Sequence, residues 1–261
     1  RLCASLRLIP SRVPDLDRIG LPPGARRLCD LSRGLVLVTG PTGSGKTTTI
    51  MSMLDHINTT RAARILSIGD PVECVLKPAR SMIIVREVGV DTSTFASALR
   101  YAMRQDPDII HVGEMRDLET VMLCITAAEM GHMVMTTMHC QNTSDAILRL
   151  ISVFPQEQRA QVREQLAQTI AGVVAQRIMP RCDRQGRAAA YEVLIGTPRM
   201  QQMIRRGATD YTAALEEGAD EGMQSLDQSL ARLVSAGTVD LDTAGAHATS
   251  PERLRTLVHK Q

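Results

Sequence analysis

The sequence predicts an α/β fold: a mostly parallel sheet with helices on its faces, followed by a smaller region of helices alone. Three observations carry this expectation. Apolar runs of strand length alternate with helix-length segments from about residue 34 to residue 196. The first such run, at 35–39, passes straight into the Gly-rich turn Gly40-Pro41-Thr42-Gly43-Ser44-Gly45-Lys46-Thr47, and a helical pattern follows. Beyond Thr197 only helical spacing remains.

Taken in order, residues 1–33 read as the remnant of an N-terminal domain plus a linker. Leu2, Leu6, Leu8 and Ile9 suggest the last strand of a preceding unit. Pro10, Pro14, Pro22 and Pro23, with Gly20 and Gly24, mark the linker, and a short helix around 25–31 leads into the first strand. Because the sequence starts at Arg1 inside this patterned segment, it reads as part of a longer protein.

In the α/β region, 34–196, strands are expected at 35–39, 64–68, 82–86, 108–112 and 133–138. Helices are expected at 46–58, 94–104, 118–130 and 144–152. Ile50, Leu54 and Ile57 give the first helix its apolar face, and Leu118, Val121, Met122 and Ile125 give the third a stripe suited to packing on a sheet. Hairpin-like segments at 176–179 and 189–195 flank the turn Asp183-Arg184-Gln185-Gly186.

The C-terminal helical subdomain, 197–261, begins with Pro198 in a first helical turn before Met200, Met203 and Ile204. A helix through Leu226, Leu230, Leu233 and Val234 stops at Gly237. Two short helices follow, one after Asp240 and one from Ser250-Pro251 to Val258.

Composition narrows the function. An aromatic share of 2% with no Trp removes the stacking residues of a single-strand nucleic-acid binder, and a net charge of +2 gives no bias toward DNA or lipid. No nucleic-acid partner is therefore expected. Six scattered cysteines never form C-x-x-C, which argues against a structural zinc site and a disulfide framework and points to a reducing cytoplasm. No apolar run reaches the length of a membrane span.

The Gly-rich turn carries the clearest chemistry. Gly40 to Thr47 match G-x-x-x-x-G-K-[ST] in full, placed between a strand and a helix. Gly40, Gly43 and Gly45 let the backbone curl so that successive N–H groups point inward onto phosphate oxygens. The following helix, with Thr48 in its first turn, adds its positive end. Lys46 reaches the β- and γ-phosphates, and the Thr47 hydroxyl is placed to ligate Mg²⁺. ATP and Mg²⁺ are the cofactors this implies.

Hydrolysis needs acids at neighbouring strand ends. Asp108-Ile109-Ile110-His111-Val112-Gly113-Glu114 is an apolar strand ending in a carboxylate that can hold Mg²⁺ through water or polarise the attacking water. Ser67-Ile68-Gly69-Asp70-Pro71-Val72-Glu73 places two acids in a Pro-containing turn, read equally as a water or metal site or as a solvated turn. His132 and His139 flank one apolar strand and stand roughly 20 Å apart, too far to share a metal. His139, at the strand's carboxyl end, is suited to sense a γ-phosphate or to a structural hydrogen bond. His111, inside a strand, reads as packed.

Several ordered motifs together resemble the secretion ATPases, specifically type IV pilus retraction ATPases of the PilT/PilU type. They are 34–48, the Asp box 67–73, Arg86-Glu87-Val88-Gly89, Asp106-Pro107-Asp108-Ile109-Ile110, Gly113-Glu114-Met115-Arg116-Asp117, the His box 127–139, Phe154-Pro155, Gly196-Thr197-Pro198, and Gly222-Met223-Gln224-Ser225-Leu226-Asp227. The resemblance implies a RecA-like P-loop NTPase core that hydrolyses ATP. Lys46 is implied as catalytic, Glu73 as activating the water, and Glu114 as the Walker B acid acting through Mg²⁺. His132, His139 and Arg116 are implied as sensor and coupling residues.

The same resemblance implies a hexameric ring, homomeric or mixed with a paralogous ATPase, cytoplasmic and peripheral at the inner-membrane base of the pilus, acting on a platform protein. Arg7 is the candidate for a trans-acting arginine. Two departures stand out: the family usually has Glu where this chain has Gly69, and its C-terminal signature is represented only by Arg199-Met200-Gln201-Gln202-Met203-Ile204-Arg205. They keep open an accessory PilU-like role or that of a related type II secretion or DNA-uptake ATPase. The four-cysteine zinc insertion of the extension and type II secretion enzymes is absent from the sequence, which favours the retraction type.

Overall fold

The structure, a computed structural model, describes residues 13–183 and 185–260. The strand expected near Leu2 to Ile9, Arg7 and Arg184 lie outside the described residues. The segment read as a linker joins the core. Leu16, Leu21, Ala25, Leu28 and Cys29 are buried, the last three on a short helix α1 (Pro23–Arg27) and the 3₁₀ turn after it. Pro14, Pro22 and Pro23, which suggested an open linker, instead belong to a segment that covers one face of the sheet; Pro10 lies outside the described residues.

The α/β region follows the expected alternation: β1 (Gly34–Thr39), α2 (Lys46–Thr60), β2 (Arg64–Gly69), β3 (Met82–Glu87), α3 (Phe95–Ala102), β4 (Ile109–Val112), α4 (Leu118–Glu129), β5 (Met133–Met138) and α5 (Thr143–Ser152). Expected and observed ends agree to within two residues. Three of these helices begin on a side-chain cap: Thr94, Asp117 and Asn142 accept from the backbone N–H three residues on.

After α5 the chain departs from the sequence reading. A helix α6 (Arg159–Thr169) was not expected, because its buried apolar residues, Val162, Leu166 and Ala167, leave too sparse a stripe to stand out. The short hairpin expected at 176–179 and 189–195 is two long strands, β6 (Ile170–Pro180) and β7 (Arg187–Ile195). Both join the sheet, whose order is β3-β2-β4-β5-β1-β6-β7, parallel throughout except that β7 runs antiparallel to β6.

β1 is fully buried between β5 and β6. Its alternation divides the core. Leu35 and Leu37 face a layer that includes α3 to α6, and Val36 and Val38 face α1 and α2. In α4 the expected stripe is rotated: Val121 and Ile125 are buried, but Leu118 and Met122 are exposed at 37% and 44%. The buried face runs instead through Val121, Cys124, Ile125 and Ala128, since α4 packs against α3 and α6 as well as the sheet.

The last helices are α7 (Pro198–Arg205), α8 (Thr212–Glu217), α9 (Leu226–Ser235), α10 (Leu241–Gly245) and α11 (Pro251–Lys260); α8 was not expected. α7 and α8 extend the core of the α4 face through Met200, Ile204 and Leu215. α9 to α11 close over Met179, Ala188 and Ala190 of the β6–β7 pair through Leu226, Leu230, Ala244 and Leu254.

Candidate active site

All five strands from β1 to β5 point their carboxyl ends the same way, and a cleft of about 590 Å³ opens there. It is lined by Thr42, Gly43, Gly45, Lys46, Thr47 and Thr48 of the loop and first turn of α2, by Asp70 and Glu73 after β2, by Glu114 and Arg116 after β4, and by His139 after β5. His132 lies at the opposite end of β5 and lines no part of the cleft; its Nδ1 stands 2.8 Å from the Pro107 carbonyl oxygen.

The loop backbone shows why its glycines are required. Gly40 has φ +148, and a Cβ there would lie 2.5 Å from both the Gln176 carbonyl and the Ser44 hydroxyl. The loop is thus pressed against β6, and Gln176 backs it directly: its Oε1 accepts from Thr49 Oγ1 at 2.6 Å. Ser44 is buried, while Pro41 contributes its carbonyl to Lys46.

Lys46 is 7% exposed. Its Nζ stands 3.0 Å from the Gly40 and Pro41 carbonyls and 3.4 Å from His139 Nδ1, so its three N–H groups all have protein acceptors. Burial holds the ammonium below the usual lysine range, with the Glu114 and Glu73 carboxylates acting against that. His139 Nε2 faces Glu114 Oε2 at 3.5 Å, and the other Glu114 oxygen is paired with Arg116. The neutral imidazole protonated on Nε2 satisfies both neighbours, accepting from Lys46 and donating to Glu114. The hydrogen bond and charge of Glu114 push the Arg116 guanidinium's pKa further up.

β1 and β5 hold His139 in place. Thr39 Oγ1 donates toward the Met138 and Cys140 carbonyls and accepts from the Cys140 N–H at 2.9 Å. Downstream, Glu192 Oε1 accepts from the Thr143 N–H at 2.7 Å and its hydroxyl at 2.8 Å, anchoring the start of α5. On the β2 side, Glu87 Oε2 accepts from the Val72 N–H at 3.2 Å and fixes the turn that carries Asp70 and Glu73.

That turn folds tightly over Gly69. A Cβ there would stand 3.0 Å from Val72 Cα and 3.1 Å from the Pro71 carbonyl, so a larger residue requires the turn to move by a few tenths of an ångström. Gln176, Thr49 and Glu192 escaped the sequence reading because they lie on strands and a helix outside any motif. Only the pairing of β6 with β1 brings Gln176 to the loop.

Oxygen donors dominate the cleft: the Thr47 hydroxyl and the carboxylates of Asp70, Glu73 and Glu114. Such hard donors suit Mg²⁺. Among the described residues, no cluster of three or more His, Cys, Asp or Glu side chains is placed to hold a metal.

Residues 3–245 match the type II/IV secretion system protein family. The chain belongs to that family. It is 44% identical over 250 residues to the type IV pilus retraction ATPase PilT of Pseudomonas aeruginosa, covering 95% of this chain and 72% of that protein. It is 41% identical to a twitching motility protein of Neisseria gonorrhoeae, covering 96% and 67%. A crystal structure of the pilus retraction motor PilT with bound ADP superposes with a TM-score of 0.89 at 42% identity, over 96% of this chain and 71% of that one. The secretion ATPase is accordingly a nucleotide-binding α/β enzyme that hydrolyses ATP.

Proposed function

We propose that this ATPase is a subunit of the hexameric motor that retracts type IV pili and so drives twitching motility. The observation that carries this reading is the linked series Lys46, His139, Glu114 and Arg116 in one cleft with Glu73. Residues 34–196 act as the ATPase core and 197–261 as a C-terminal helical subdomain.

The loop amides and the N-terminus of α2 face the phosphates. To reach them, Lys46 gives up one of its three acceptors, and the 3.4 Å contact to His139 is the longest. His139 is thereby freed when nucleotide arrives, which makes it the sensor. Thr47 and Glu114 would hold Mg²⁺, whose charge neutralises that developing on the phosphates. Glu73 orients the attacking water and takes its proton as the terminal P–O bond breaks, releasing ADP and phosphate.

His139 and Arg116 are 54% and 64% exposed, open to a neighbouring subunit that completes the site. His132, hydrogen-bonded to the Pro107 carbonyl at the amino end of β5, acts in coupling by anchoring the strand that carries His139 rather than by entering the cleft. The ring acts on a platform protein at the inner membrane; no helix among the described residues is long and apolar enough to cross a membrane.

Lys46→Ala tests the reading. Loss of at least about 100-fold in ATP turnover is expected, the scale of removing one preorganised charge contact. Turnover equal to the unsubstituted protein would overturn it.

A further inference from the structure

The proposed function leaves one polar pair of the cleft unused. Ser67 on β2 and His111 on β4 sit opposite each other in register. Both line the cleft, and both lie on the strand face that turns toward α2, the face that also carries Ile65 and Ile109. His111 is 3% exposed and Ser67 8%. Ser67 Oγ stands 2.8 Å from His111 Nδ1, and no other hydrogen-bond partner of Ser67 Oγ exists among the described residues.

That geometry assigns the protons. Burial lowers the His111 pKa to about 4, so the ring is neutral and carries one N–H. If Nδ1 carried it, the Ser67 proton would lack an acceptor. With Ser67 donating to Nδ1, the serine is satisfied and the ring proton sits on Nε2. His111 Nε2 is a buried nitrogen without a partner. A buried donor left unmade costs about 1–3 kcal/mol, which a purely structural histidine has no reason to retain. The cleft that His111 lines is built from donors for phosphate and from oxygen ligands for a cation.

We propose that His111 is a positioning residue of the nucleotide cleft: its Nε2–H, oriented by the Ser67 hydroxyl, donates to an oxygen of the bound nucleotide and cation. This rests on the cleft being the nucleotide site. The acceptor is either a phosphate oxygen or a water on the cation, and the two are separable by experiment.

Imidazole ¹⁵N–¹H spectra of the intact protein provide the first test. The apo spectrum is expected to show the proton of His111 on Nε2. ADP alone shifts that resonance if a phosphate oxygen accepts; ADP with Mg²⁺, but not ADP alone, shifts it if a cation-bound water does. Inorganic phosphate is the third arm. A proton on Nδ1, or no shift in any arm although ADP binds, overturns the proposal. This readout needs no turnover, so it stands even if the protein hydrolyses no ATP and the motor reading fails.

The second test separates positioning from packing. S67A/H111L replaces both polar partners by apolar groups, a change expected to leave Tm unchanged or higher. If His111 positions the nucleotide, kcat nevertheless falls about 10- to 100-fold, the Kd for ADP changes less than kcat does, and H111Q, which keeps an N–H donor, recovers most of the loss. A double variant with both Tm and kcat lowered together, or with kcat unchanged, overturns it.

Discussion

The two ends of the central sheet carry similar residue types and use them in opposite ways. At the carboxyl end, His139 stands between Lys46 and Glu114 and is half exposed. At the amino end, His132 is hydrogen-bonded to the Pro107 carbonyl, and its own carbonyl accepts from Gly34. Asp108 likewise accepts from the Arg64 N–H at 2.7 Å, and the Arg64 guanidinium is taken up by the Gln105 and Asp106 carbonyls.

At the amino end the polar groups satisfy one another and close the sheet. At the carboxyl end, carboxylates, a lysine and a histidine converge on a cleft with long contacts of 3.4 and 3.5 Å between them. Short, complete bonds hold a fold, whereas long contacts around an open volume leave room for a ligand. Parallel strands impose this separation, because their loops and following helix N-termini all emerge on one side.

The sharpest way to break the contrast is to remove each histidine in turn. His139→Ala is expected to lower ATP turnover by about 100-fold. His132→Ala is expected to cost about 1 kcal/mol of stability, the worth of one hydrogen bond, with far less loss of turnover per folded molecule. Steady-state ATPase rates beside melting curves measure both. Equal losses of turnover would erase the distinction between the two ends.

Glu192 probes the boundary between cleft and scaffold. Replacing it by Leu orphans the N–H and hydroxyl of Thr143, with an expected loss of about 1–3 kcal/mol. Burial pushes its carboxyl above the ordinary value of 4.5, against the Thr143 and Leu226 hydrogen bonds and the Arg177 charge. Since the folded pKa is raised, the stability it contributes is complete below pH 4.5 and is lost as pH rises through the folded value. Denaturant melts across that range should show this slope in the unsubstituted protein and not in Glu192→Gln.

The smallest effect is expected where the structure corrected the packing. Met122 is exposed, so Met122→Lys should change stability by less than about 0.5 kcal/mol. A loss of several kcal/mol would place Met122 in the core after all.

Much was legible in the residues because it is local. A Gly-rich turn between a buried strand and a helix requires no partner to be recognised, and Lys46 and Thr47 follow from it. The apolar runs of β1, β2, β4 and β5 marked their strands because both faces are buried and the alternation of core and solvent is lost. α6 stayed hidden for the opposite reason: its contact with the core is narrow, and the remaining positions are polar. Likewise, the rotated face of α4 could not be read from spacing that fits two orientations equally.

The sequence by itself determined the fold class, the phosphate loop and the acids at the strand ends, since each depends on residues within a few positions of one another. Only the tertiary structure decided what those residues touch. Parallel pairing of β1 with β5 and β6 brings His139 to Lys46 and Gln176 to the loop, from 93 and 127 residues away from Lys46 and Thr49 respectively. Register between β2 and β4 turns the first residue of the Asp box, Ser67, and a histidine that read as merely packed, His111, into one polar pair facing the cleft. Strand pairing is a long-range choice, made by burying both faces of the sheet at once, and no short stretch of sequence contains it.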